Sequence, residues 1–336
     1  MGTEQGLLEA LGGEVGCQKL AQDFYTRVAK SQELKPLFPG KSLRCATEEF
    51  AAFLIQFLEG DESQTHYRWW LSLRESHARF QISEDQRSAW LDLMRETIES
   101  VIEDSETRHS LSHFFGVASH YIRDGSQGDI AHSELKDRWN QQQALDQLIQ
   151  AINDSNDMKA IVLAQGFVSQ SSILIGIFAR MIETGRDLLV AFVAENLYED
   201  PDLSSVRFNG RTLLHFAAGS SCVHVVAILL SSGCDPNVLD RGGHSALYRA
   251  AGSGKEDQTV VVIDYLMKAG ASIDFRGGVN QSTALHQAAR FGRLQVAEAL
   301  LKHGANPNVK DKKGLTPLDR AINCRRHNVA NLLTAL

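Results

Sequence analysis

Cysteine is scarce and scattered in this chain: Cys17, Cys45, Cys222, Cys234 and Cys324 are an odd set without a single C-x-x-C pair. That pattern supports neither a disulfide framework nor a zinc site, and reads as reduced thiols. Long apolar runs are missing too. The most apolar stretch, 160–181, is interrupted by Gln165, Ser169, Gln170, Ser171 and Ser172, so no membrane span is expected. Positive charge is in deficit, with a net −7 at neutral pH, which leaves no electrostatic footprint for nucleic acid or an anionic membrane. The opening MGTEQGLLEALGG holds neither the basic region nor the apolar core of a signal peptide, and a cytoplasmic location is expected.

What is present is the composition of a globular chain, 43% hydrophobic and 22% charged over 336 residues, long enough for two domains. Four variants of one phrase occupy the second half: GRTLLHFAAG (210–219), GHSALYRAAG (243–252), QSTALHQAAR (281–290) and GLTPLDRAIN (314–323). Their equivalent positions His215, Tyr248, His286 and Asp319 are 33, 38 and 33 residues apart. An apolar helical run follows the phrase, as in VVAILLSSGCDPN and VAEALLKHGANPN. Phrase, run and period together resemble the ankyrin repeat. Such a unit makes two short antiparallel helices and cannot bury its apolar face without neighbours. The Ala-Ala pairs 217–218, 250–251 and 288–289 suit close helix approach, and Gly233, Gly270 and Gly304 stand where a left-handed residue must stop the second helix.

Thr212, His215, Thr283, His286 and Thr316 are expected in structural roles, the histidine rings tying adjacent turns through backbone bonds. The second repeat is five residues longer, and the excess is expected in a loop over GSGKEDQTV (252–260). Arg325, Arg326 and His327 read as the polar part of a terminal cap. An array of this kind is a binding surface, and the expected ligand is another protein, of unknown identity.

The first 125 residues have a different character. DFYTRVAKSQELKPLFPG (23–40) places Phe24 and Tyr25 in an amphipathic helix that Phe38-Pro39-Gly40 should end. ATEEFAAFLIQFLEG (46–60) aligns Ala46, Phe50, Phe53, Leu54 and Phe57 on one face at helical spacing. RESHARFQISEDQRSAW (74–90) follows with His77, Phe80 and Ile82, then a helix expected from Glu84 to Val101 that carries Trp90 and Met94. A lone histidine among aromatics is usually packing. Here, however, the aromatics are many, and Tyr25 and Trp90 bear polar tips that need partners when buried.

These segments resemble a truncated haemoglobin, the short two-over-two globin, and most closely its second group. EALGG (9–13), FYTRV (24–28), LFPG (37–40), ATEEFAAFLIQFLEG, HARFQI (77–82) and AWLDLM (89–94) follow that family's order without forced gaps. The resemblance implies haem b, iron protoporphyrin IX, with His77 as proximal iron ligand. It implies Tyr25 and Trp90 as donors to dioxygen, nitric oxide or carbon monoxide in the open position. Phe24, Phe38, Ala46, Phe50, Phe53, Leu54, Phe80, Ile82 and Met94 would wall the pocket. The chain departs from the family at Ala46, where a distal histidine or glutamine is common, and at Glu49 and Ser76, which replace basic residues. Arg74 and Arg79 are the nearby substitutes for pairing a propionate.

The expected architecture is thus all-α: a globin over 1–125, a helical linker with a degenerate repeat or cap over 126–208, and an ankyrin solenoid over 209–336. Its repeats fall at about 209–241, 242–279, 280–312 and 313–336. Within the linker, LKDRWNQQQALDQLIQAIN reads as a polar amphipathic helix, and Ser171 to Asn196 as two apolar helices around ETGRD. His132 and Trp139 carry no chemistry beyond surface or core packing. The function expected is dioxygen binding or transport, joined to protein binding in a gas or redox sensor or adaptor. The alternative is a nitric oxide dioxygenase or haem peroxidase. The chain shows no flavin or nicotinamide fingerprint, so either enzyme would need a separate reductase.

Overall fold

The computed structural model describes residues 7–38, 43–59, 72–77, 80–125, 128–130 and 132–336. Pro39, Gly40 and Arg79, singled out above, lie outside them. Packing divides the chain into two compact units, 1–163 and 164–336. Both are mostly helical.

In the first unit α1 (Leu7–Leu11) turns into α2 (Gly13–Val28) through Gly12, whose φ is +93°. At Gly16 a Cβ would stand 1.8 Å from the Leu11 carbonyl oxygen, so only glycine lets the two helices meet there. The second helix stops at Val28 rather than reaching Phe38. Ser31 Oγ accepts from the Leu34 N–H at 3.1 Å, and a 3-10 turn, Lys35–Leu37, takes the chain on to Phe38 with Pro36 in its opening positions.

Next comes α3 (Arg44–Glu59), packed on α2, then the short α4 (Leu73–His77). Helix α5 (Glu84–Val101) has the bounds its sequence suggests because Ser83 and Gln86 close a capping box, Gln86 N–H to Ser83 Oγ at 3.2 Å and Ser83 N–H to Gln86 Oε1 at 3.0 Å. Helix α6 (Ser105–Asp124) starts on the Asp104 carboxylate, which accepts from the Thr107 N–H at 2.6 Å, and ends at left-handed Gly125. The α2–α3 and α5–α6 pairs meet through α2 on α5 and through Phe50–Phe115 and Phe57–Phe114, with ring centroids 6.1 and 4.8 Å apart.

The first unit does not end with α6. Helix α7 (Ser133–Asn153) packs on α3 and α4, and it inserts Trp139, 2% exposed, against Phe114 (5.6 Å) and Tyr121 (5.1 Å). Leu135 and Ile130 join the same core. A segment whose sequence reads as a polar linker therefore completes the core of the first unit.

After α8 (Asp157–Ala164), the second unit continues with α9 (Ser171–Thr184) and α10 (Asp187–Glu199), turned by left-handed Gly185. A two-residue hairpin follows, β1 (Arg207–Phe208) with β2 (Arg211–Thr212), around Asn209 and Gly210, both at positive φ as a tight Asn-Gly turn requires. Four helix pairs complete the stack: α11 (Leu213–Gly219) with α12 (Val223–Ser231), α13 (Ala246–Ala250) with α14 (Glu256–Lys268), α15 (Ala284–Phe291) with α16 (Leu294–Lys302), and α17 (Pro317–Asn323) with α18 (His327–Thr334). First helices pack on first helices from α9 onward, and second on second from α10. The paired alanines are fully buried at these contacts, and Gly233, Gly270 and Gly304 adopt φ of +85°, +89° and +90°.

The longer second repeat places its excess differently from the expected loop. Tyr248 to Gly270 covers 22 positions, against 18 from His215 to Gly233 and from His286 to Gly304. The extra four residues lengthen α14 to 13 residues, where α12 and α16 have 9. Glu256 and Asp257 in its first turn suit a helix start, so extension costs less than a bulge. Among the described residues no helix is long and apolar enough to cross a membrane.

Candidate functional site

A cavity of about 490 Å³ opens inside the first unit among α2, α3, α4, α5 and α6, a size common for cofactor sites. Its walls include Phe24, Tyr25, Phe38, Ala46, Phe50, Phe53, His77, Phe80, Ile82 and Trp90. Residues spread over 67 positions of sequence are thus brought to one space, from Phe24 on α2 to Trp90 on α5.

His77 ends α4 and is held from behind. Its Nδ1 lies 2.9 Å from the Leu73 carbonyl oxygen and 2.9 Å from Ser76 Oγ, while Ser76 itself donates to the Leu73 carbonyl at 2.7 Å. A carbonyl can only accept, so Nδ1 carries the proton and the lone pair belongs to Nε2. Phe80 flanks the ring at 6.3 Å between centroids, and Phe38 faces Phe80 at 6.1 Å.

Tyr25 meets Phe38 and Phe50 edge-on at 5.8 and 6.2 Å. Its phenol is pushed well above the usual range, by burial first and by the Glu49 carboxylate second, so the hydroxyl stays a donor. Trp90 is wedged between Phe24 (5.3 Å) and Phe115 (5.7 Å). Tyr25 and Trp90 are each only half-buried, since each has a side on the cavity. Ala46 lines the wall with its small side chain, beside Glu49.

Leu54 and Met94, each 1% exposed, lie in the core behind the cavity rather than on its wall. Arg74 turns away from it: its guanidinium lies over the Tyr121 ring, 5.7 Å from the centroid, in a neighbouring hollow shared with Asp146. Sequence reasoning passed over Phe114, Phe115, Ala118 and Ser119 on α6, and Gln86 and Arg87 on α5, which also line the cavity. The α6 residues could have been found, since Leu111, Phe115, Ala118 and Ile122 recur at helical spacing. Arg87, its side chain 12% exposed, is bound to Glu84 at 3.0 Å and Ser119 at 3.3 Å.

Residues 6–123 match the bacterial-like globin family. The first unit carries a bacterial-like globin domain. A second match, to ankyrin repeats, covers residues 182–276 and 256–335 and so takes in α10 as well as the four clear repeats. Among curated proteins the chain is similar to the E3 ubiquitin-protein ligase Ufd4 of Drosophila melanogaster, 41% identical over 91 residues, 27% of this chain and 3% of that protein. It is also similar to the transient receptor potential channel pyrexia of Drosophila melanogaster, 32% identical over 130 residues, 39% of this chain and 13% of that one. The SH3 and multiple ankyrin repeat domains protein 1 of Homo sapiens is 45% identical over 94 residues, 28% of this chain and 4% of that protein. The chain spans no more than 13% of the length of these three relatives.

A globin domain implies haem and a diatomic gas, and ankyrin repeats imply a protein partner. The cavity residues suit haem. Aromatic and aliphatic walls match a flat apolar ring, and one imidazole has its lone-pair nitrogen fixed by an internal bond, as metal-ligating histidines commonly do. Among the described residues no three His, Cys, Asp or Glu side chains cluster to hold a bare metal ion. Haem asks the protein for less, because its ring nitrogens supply most of the coordination.

The ankyrin histidines have a different environment. His215 Nδ1 lies 2.8 Å from Thr212 Oγ1 and accepts from the Thr212 N–H at 3.3 Å, and its Nε2 reaches the His244 carbonyl of the next repeat at 3.1 Å. His286 repeats this with Thr283 and the Leu315 carbonyl. Thr316 caps α17 with Asp319 in place of histidine. Burial lowers the His215 pKa to about 4 and lowers that of His286 too, so both rings are neutral bridges between repeats.

Proposed function

We propose that the globin domain binds haem b with His77 as its proximal iron ligand, in a pocket of the second truncated-haemoglobin group. The gas site lies on the side of Tyr25 and Trp90. The single observation carrying this reading is the His77 ring on the cavity wall, its Nδ1 proton committed to Leu73 and its lone pair on Nε2. When bound, haem supplies an open coordination position for a diatomic gas. The chain's own residues do the rest. His77 anchors the ring, the phenylalanines exclude water, and the protonated phenol of Tyr25 and the Trp90 indole N–H donate towards the gas. Ala46 leaves room at the pocket's side.

The role for the whole chain is a gas- or redox-responsive adaptor, in which occupancy at the haem changes how the repeats hold a protein. The fusion itself supports this, since gas storage needs no protein-binding array. Coupling requires that ligand binding favour one of two states of the repeats. Haem titration should saturate at one equivalent per chain. Amide exchange across 164–336 should then differ between the carbon-monoxide-bound and unliganded ferrous protein. Exchange that is identical in both states would leave a haem protein with an uncoupled array.

A further inference from the structure

Helix α7 lies outside the matched globin stretch, yet it touches the element that carries His77. Helix α4 has only five residues, too few to form without help, and its opening N–H groups need partners from elsewhere. Ser72 Oγ accepts from the Glu75 N–H at 3.0 Å. The Leu73 N–H is taken by Asp146 Oδ1 on α7, at 2.7 Å, across 73 residues of sequence.

The same Oδ1 accepts from Gln142 Nε2 at 3.0 Å, one turn earlier on α7. Asp146 and Gln142 are each 5% exposed, Ser72 3% and Leu73 4%. Leu73 is thus gripped twice. Its N–H is fixed by the Asp146 carboxylate, and its carbonyl receives His77 Nδ1 at 2.9 Å. Moving Asp146 would move Leu73, whose carbonyl together with Ser76 Oγ holds the imidazole at its angle.

Resting on the haem reading above, we infer that Asp146 is a positioning residue for His77, which makes α7 a working part of the haem pocket and places the segment after the globin in control of the proximal histidine. A buried side-chain oxygen bonded to a buried backbone N–H resists displacement because losing the bond leaves both a donor and an acceptor unpaired away from water. Arg74 stacks on Tyr121 of α6, and Tyr121 in turn meets Trp139 of α7 at 5.1 Å between ring centroids, so a shift of α7 also reaches α4 by this second, aromatic route. A change at the haem that pulls on His77 would travel the same path outward.

The test uses the full chain with Asp146→Ala and Asp146→Asn, the second keeping an oxygen for the Leu73 N–H. Three quantities are read: amide exchange at 73–77 in the haem-free protein, the rate of haem transfer to an acceptor globin, and the ferrous iron–histidine stretching band. Asp146→Ala should speed exchange at α4, raise haem loss about 10- to 100-fold, the range for outer-shell partners of metal-ligating histidines, and shift the band. Asp146→Asn should restore much of all three. Quickened exchange with unchanged haem loss and an unchanged band would overturn the positioning role while leaving His77 as ligand. A His77→Gly control that retains haem as wild type does would instead overturn the reading beneath it.

Discussion

The imidazole of His77 and the carbonyl of Leu73 stand 2.9 Å apart, four residues from each other on one short helix. This pairing sets the tautomer before any ligand arrives, and it makes Nε2 the basic nitrogen of the ring.

In the proposed haem pocket Tyr25 and Trp90 are the donors on the gas side. Hydrogen bonds to a charged acceptor contribute about 1.5–3 kcal/mol each, and ~1.4 kcal/mol is tenfold in an equilibrium. Tyr25→Phe and Trp90→Phe should each speed dioxygen release by about tenfold to a hundredfold, with carbon monoxide release nearly unchanged. Stopped-flow displacement measures both. Equal acceleration for the two gases would show that the rings act by bulk rather than by donation.

Trp139 belongs to the core of the first unit. Removing so large a buried ring costs about 3–5 kcal/mol, so Trp139→Ala should lower the melting temperature of that unit by about 10 °C. A chain ending after Asp124 should fare worse than one ending after residue 163, because it strips Phe114 and Tyr121 of their cover. Comparable melting of the two truncations would mean that α7 adds little to the core.

Acid should weaken the repeats in a definite window. His215 has a pKa near 4 in the fold, lowered chiefly by burial from an ordinary 6.5. Between those values the unfolded chain binds a proton that the folded one refuses. Stability is therefore full above about pH 6.5 and falls as pH drops towards 4, by about 3 kcal/mol for this group. His286 shifts in the same direction and adds to the loss. The Asp240 and Asp311 carboxyls are held below their usual value, since bonds from His244, Leu315 and the paired Arg249 and Arg320 outweigh burial. Their contribution is lost only below about pH 4. Urea unfolding of the repeats followed by amide exchange at pH 7 and pH 4.5 should show the drop, and His215→Gln should flatten it.

Local signals carried much of the architecture. The Ser83–Gln86 capping box announces α5, the repeated phrase announces the ankyrin pairs, and the spacing of Phe50, Phe53 and Phe57 announces α3. The pocket was legible wherever an aromatic or histidine stood in a recognisable phrase, as at Phe24–Tyr25, His77 and Trp90. Arg74 was not, because which side of a five-residue helix it takes depends on Tyr121, 47 positions away. Asp146 was not, because an acid on a polar helix looks solvated until the Leu73 N–H is seen beside it. The long second repeat misled for a related reason: extra residues can extend a helix as readily as a loop when the helix already has a suitable start.

The central claim is that His77 holds the iron. The direct measurement is the optical spectrum of the haem-reconstituted full chain beside His77→Gly, with and without added imidazole. The account predicts a five-coordinate ferrous spectrum in the native chain, altered or lost in the variant and restored by imidazole. Haem bound identically in the absence of the His77 side chain would contradict it.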